Sequence, residues 1–151
     1  MANNLVFMSI RDLGGLIGTR QVSPTELTEL FLRRLEDLGS NYNAVVTVTH
    51  ERALQQAHRA EQEITAGNYR SALHGIPYGA KDLLSTSGGI PTTWGAAPLR
   101  NQIFNFDATF ILNLENSGAI LAAKLAMVEV AGGAGYRLPN ASFSGPGITP
   151  W

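Results

Sequence analysis

Leu73-His74-Gly75-Ile76-Pro77-Tyr78-Gly79-Ala80-Lys81-Asp82-Leu83-Leu84 runs straight into Ser85-Thr86-Ser87-Gly88-Gly89-Ile90-Pro91-Thr92-Thr93, and the rest of the chain is organised around this stretch. Gly75 and Pro77 punctuate its entry, and Gly88, Gly89 and Pro91 its exit. The apolar run between them has the length of a buried strand, expected over Ile76–Leu83. It contains one lysine, Lys81. Burial penalises a charged amine, and a lysine held neutral is a general base. The plainer alternative is a strand-end lysine that reaches back to water. Adjacent strand residues face opposite ways, so Asp82 is not a close partner of Lys81, and the neighbours on the Lys81 face are the uncharged Gly79 and Leu83.

Outward from this stretch, Ala119-Ile120-Leu121-Ala122-Ala123 reads as a second core strand. Between the two strands lie a Gly/Pro/Ser/Thr-rich connection over 85–105 and a helix from Ala108 to about Ser117, capped by Asp107 and ended by Gly118. Strand, crossover helix, strand is a βαβ unit with parallel strands. Upstream, Ser9 and Asp12 open a short helix. Ser23-Pro24-Thr25-Glu26 carries a capping box, and Leu27, Leu30, Phe31, Leu35 and Leu38 follow on one helical face, with Gly39 as the stop. Ala44–Thr49 is β-branched and short, hence a strand. A helix follows over about Glu51–Ala66 with an alanine-rich face of Ala53, Leu54, Ala57, Ala60 and Ile64. The tail from Ala131 to Trp151 reads as loop.

Composition narrows the chemistry. The 151 residues contain no cysteine, which excludes disulfides, thiol catalysis and cysteine metal sites. The three histidines, His50, His58 and His74, do not have a metal-site spacing, and no metal or cofactor is expected. A formal net charge of −1 argues against nucleic acid or anionic lipid as partner. With neither a leader-like N-terminus nor a long apolar run, no membrane association is expected and the expected compartment is the cytoplasm. Gly133-Ala134-Gly135-Tyr136-Arg137-Leu138 starts like a dinucleotide fingerprint, but Leu138 stands where the third glycine belongs.

The quoted stretch, with Thr92-Thr93-Trp94-Gly95, Asp107-Ala108-Thr109, Gly118-Ala119-Ile120-Leu121, Lys124, Met127-Val128-Glu129 and the closing Gly147-Ile148-Thr149-Pro150-Trp151, resembles the start of the catalytic core of the amidase signature family. The resemblance is loose before Ser71 and close after it. It implies an α/β fold: a helical arm over 1–70, then from 71 the start of a mixed sheet. It also implies a Ser–cis-Ser–Lys triad in which Lys81 is the catalytic base, acting on a small-molecule amide. Met127 would line the substrate pocket, although Leu125-Ala126 and Val130 depart from the family's flanking residues. Lys124 most resembles a structural lysine. The family's Gly-Gly-Ser-Ser-Ser-Gly segment, source of both triad serines, would follow Trp151, so the chain alone is expected to be inactive. Ser142 and Ser144 lack a nucleophile-elbow pattern and read as loop serines. The alternative from a different class is a non-catalytic binding or assembly module built on the same fold. Self-association is expected through an open sheet edge or the N-terminal helices.

Overall fold

The computed structural model describes residues 5–132 and 142–151. Its order is α1 (Ile10–Gly18), α2 (Pro24–Gly39), β1 (Val45–Val48), α3 (His50–Thr65), β2 (Pro77–Lys81), α4 (Thr109–Asn116) and β3 (Ile120–Leu125), with short 3₁₀ turns at Ser40–Tyr42, Ala97–Leu99 and Glu129–Ala131. The strands run in the order β1-β3-β2. Along β2 and β3 the paired residues rise together, Ile120 N–H to Ile76 O and Asp82 N–H to Leu125 O, both 2.9 Å. This is the parallel pairing of the expected βαβ unit. β1 pairs antiparallel with β3, Val45 opposite Leu125 and Val48 opposite Ala123, with a bulge between Val45 and Thr47. The sheet is therefore mixed, and the fold is α/β as expected.

Local chemistry sets the helix boundaries. The Ser9 hydroxyl accepts the Asp12 N–H at 3.2 Å and opens α1. α2 has the reciprocal capping box: Glu26 N–H to Ser23 Oγ at 3.1 Å, and Ser23 N–H to Glu26 Oε2 at 3.5 Å. Gly39 differs from its expected role. Its backbone is still right-handed helical, and a Cβ there would lie 2.6 Å from Val45 Cγ2. The residue is small to let β1 approach, and the left-handed turn falls later, at Asn43.

The chain divides into two compact units. The first comprises 1–33, 49–78 and 113–122. Its core joins Leu13 and Ile17 of α1, Leu27 of α2, Ile64 of α3 and Ile76. Ala53, Ala57, Ala60 and Ile64 are the buried stripe of α3, as the pattern predicts, while Leu54 is half-buried. The second unit comprises 34–48, 79–112 and 123–151, and it contains the residues around Lys81. Among the described residues no helix is long and apolar enough to cross a membrane. The Gly133–Leu138 motif lies outside the described residues.

The two parallel strands are not equally covered. β3 is buried at every position from Ile120 to Ala123, and Lys124 is enclosed with them, as a strand covered on both faces requires. β2 is shorter than the expected Ile76–Leu83, and only Ala80 is buried within it, while Gly79 and Lys81 are exposed. The apolar run overstated its burial: glycine adds no side chain, and the lysine takes the outward position of the alternation.

Candidate active site

Lys81 ends β2, and the strand alternation sets its surroundings. Ala80 and Asp82 point inward, at 2% and 0% exposure. Gly79, Lys81 and Leu83 are all exposed, so the three share the outward face anticipated from spacing. Gly79 has a second constraint: a Cβ there would sit 2.7 Å from the Leu125 side chain.

Beneath Lys81 lies a buried polar cluster. Asp82 Oδ2 accepts the Thr93 N–H at 3.0 Å and the Thr93 hydroxyl in a short bond. Asp82 Oδ1 is 3.2 Å from Lys124 Nζ, and both side chains are fully buried. The Lys124 ammonium also donates to Leu84 O and Thr92 Oγ1, each at 2.9 Å, and reaches Pro91 O at 3.4 Å. It therefore holds both ends of the loop between residues 82 and 93. Burial draws the Lys124 amine below the ordinary lysine range, opposed first by the Asp82 charge and hydrogen bond, then by Asp107.

The backbone of Asp82 is fixed as well. Its N–H meets Leu125 O at 2.9 Å, and its carbonyl accepts the Trp94 N–H at 3.3 Å. Trp94 holds a left-handed φ of 52°, a conformation rarely adopted by aromatic residues, and its carbonyl accepts Val130 N–H at 2.8 Å. Gly95 follows against the Met127 backbone, where a Cβ would lie 2.5 Å from Met127 O.

Met127 is 6% exposed. It lines a cavity of about 430 Å³ with Tyr42, Asn43, Ser142 and residues 145–149. Ser142 and Ser144 hydroxyls are 2.9 Å apart, and Ser142 donates to Gly145 O at 3.0 Å. These bonds are local turn geometry. Among the described residues, neither serine has a base as hydrogen-bond partner.

The sequence holds two lysines among eleven basic residues, and the structure separates them completely: Lys81 exposed, Lys124 enclosed. The Asp82–Thr93–Lys124 cluster was not anticipated. Its signal was an acidic residue on the inward phase of the strand, which needs a buried cation or several donors.

In the first unit a second network surrounds His74, whose side chain is 1% exposed. His74 Nδ1 accepts the Arg70 N–H at 3.1 Å, which leaves Nε2 as the protonated nitrogen, 3.2 Å from Glu63 Oε2. Glu63 also binds Arg59 at 3.1 Å and Arg70 in a short pair. Gly118 lies against the imidazole with φ 88°, where a Cβ would be 2.3 Å from His74 Cδ2.

Comparison with known proteins shows the family of the chain. The amidase family model matches residues 26–151, and the chain belongs to the amidase family. It is 37% identical over 144 residues to a glutamyl-tRNA(Gln) amidotransferase subunit of Geobacter sp. (strain M21), covering 95% of this chain and 29% of that protein. The putative amidase AmiD of Mycobacterium tuberculosis (strain ATCC 25618 / H37Rv) is 38% identical over 144 residues with the same coverage. Among solved structures, an amidase family protein from Bacillus anthracis str. Ames aligns at TM-score 0.77 and 30% identity over 85% of this chain and 26% of that one. The native peptide amidase of Stenotrophomonas maltophilia aligns at 0.75 and 26% identity, over 82% and 25%. The chain thus spans less than a third of the length of these relatives.

Proposed function

We propose that this chain supplies the lysine part of an amide-bond hydrolase, with Lys81 as the general base of a Ser–cis-Ser–Lys triad whose serines lie on polypeptide outside these 151 residues. The arm over 1–70 and the core from 71 onward would then be the opening portion of one catalytic domain. The observation that carries this reading is the division of labour between the two lysines. Lys124 spends its donors on a buried carboxylate and loop oxygens, whereas Lys81 projects from the exposed face of β2. A proton acceptor must reach the group it deprotonates, and of the two amines the Lys81 amine is the accessible one.

In the reaction, the bridging serine passes a proton from the nucleophilic serine to the Lys81 amine. The freed alkoxide attacks the amide carbonyl, the nitrogen leaves carrying a proton, and an acyl-enzyme remains for water to cleave. Backbone N–H groups would stabilise the oxyanion. Met127 is a candidate wall for the acyl portion, since it lines the cavity beside 145–149. The substrate is a small amide.

The test has two arms. The chain alone should release no product from a peptide amide above background. A chimera joining residues 1–151 to the remainder of the Stenotrophomonas maltophilia peptide amidase should turn over that substrate. Lys81→Ala should then cost at least about 10²–10⁴-fold in kcat, the usual loss for a general base. Turnover by the isolated chain that vanishes in Lys81→Ala would move the nucleophile to Ser142 or Ser144. Full activity of the Lys81→Ala chimera would refute the base assignment and favour the non-catalytic module.

A further inference from the structure

We propose that Asp82, Thr93 and Lys124 are positioning residues for Lys81, and that the buried ammonium of Lys124 does for this loop what a bound cation does elsewhere. The inference rests on the reading of Lys81 as the base.

Four oxygens surround Lys124 Nζ within 3.4 Å: Leu84 O, Pro91 O, Thr92 Oγ1 and Asp82 Oδ1. They come from the two ends of a loop that leaves β2 at Asp82 and is tied back to the Asp82 carboxylate by Thr93. An ammonium has three hydrogens, so the carboxylate is held in part by charge alone. Asp82 is in turn tied by its N–H, its carbonyl and its carboxylate, to Leu125, Trp94, Thr93 and Lys124.

The residue so anchored is the next in sequence after Lys81. A peptide unit fixed on one side leaves its neighbour little freedom, because adjacent residues share a rigid plane. With Asp82 locked inward, the alternation of the strand sends the Lys81 stem outward and fixes its direction of exit. Thr93 closes the arrangement. Its hydroxyl donates to Asp82 and accepts Gly95 N–H at 3.2 Å, linking the strand end to the Trp94–Gly95 turn.

These groups are fully buried on the inward side, so they do not touch a substrate reached by Lys81. Their effect on a reaction then passes through the direction of the Lys81 side chain. Displacing a catalytic group by about 1 Å costs on the order of 10²-fold. A residue that acts only through Lys81 has no further effect once that amine is gone, because members of one unit are non-additive.

A double-mutant cycle in the same chimera reads this out. Lys124→Met and Thr93→Val should each lower kcat about 10²-fold, with KM within about twofold. Thr93→Ser, which keeps the hydroxyl, should restore most of kcat. In the Lys81→Ala background, neither Lys124→Met nor Thr93→Val should reduce the residual rate further. If Lys124→Met does not fold, the Thr93 pair carries the cycle. Losses of equal size in both backgrounds, or none in either, would overturn the proposal and leave the cluster structural. The base assignment fails differently: Lys81→Ala would itself be without effect.

Discussion

Replacing Lys124 by methionine isolates the charge of the buried cluster from its packing. Methionine keeps an unbranched stem of similar length but removes the ammonium. Among the described residues, the Asp82 carboxylate would remain at 0% exposure with Thr93 as its remaining partner, and Leu84 O and Thr92 Oγ1 would lose a donor. Removing one partner of a buried ion pair typically costs about 3–5 kcal/mol. At about 1.4 kcal/mol per factor of ten, that is roughly a hundredfold to a few thousandfold. The assay is amide hydrogen exchange in the 151-residue chain, read at Thr93, whose N–H binds Asp82 Oδ2, and at Asp82, whose N–H binds Leu125 O. Both amides should exchange faster by that factor. The pair Asp82→Asn/Lys124→Met, which removes both charges at similar volume, should recover most of the protection. Acceleration below about tenfold in the single variant, or an unprotected Thr93 amide in the parent chain, would refute this assignment of the ion pair.

Gly118→Ala should destabilise the first unit by about 1–3 kcal/mol, since φ is 88° and the new methyl meets His74 Cδ2 at 2.3 Å; urea unfolding of parent and variant measures it, and a loss below about 0.5 kcal/mol would be contrary. Burial is the main cause that lowers the His74 pKa below the ordinary imidazole value of 6.5, partly offset by Glu63 and reinforced by Arg70. The unfolded chain then binds more protons just below that value, so stability is full above about pH 6.5 and falls as pH drops toward the folded pKa. Urea midpoints between about pH 7.5 and 5.5 should fall with acid, less so in His74→Gln, and a flat profile in the parent would contradict a histidine held neutral by burial. β1 and β2 are the outer strands of the sheet, and Phe7, Ile10, Phe106 and Phe110 are more than half exposed. The isolated chain should self-associate through an unpaired strand edge, and a strict monomer by sedimentation would speak for a self-sufficient module.

Much of this architecture is written in local rules. The capping box at Ser23–Glu26, the alanine stripe of α3 and the crossover between β2 and β3 follow from residue type and spacing alone. The pairing of β1 was not legible. Val45–Val48 has a strand composition, but nothing local says that its partner is β3, far along the chain, or that the pairing is antiparallel. Lys81 could be singled out, yet its exposure could not, because burial of a short strand depends on what covers it. The Asp82–Lys124 pair is the opposite case. Its members are far apart in sequence, and only the parallel register of β2 and β3 brings them together. The inward phase of Asp82 asks for a buried partner, but nothing local names Lys124 as that partner.

The uneven placement of the two lysines also leaves a single chemical handle for labelling. An amine-directed crosslinker, fluorophore or biotin ester finds one accessible side-chain amine, Lys81, besides the α-amino terminus. Arginine supplies all the remaining Lys/Arg cations and does not react with such esters. One adduct at that position would place the probe at the end of β2, so its mass, or its blockage by a bound partner, reports directly on access to that face.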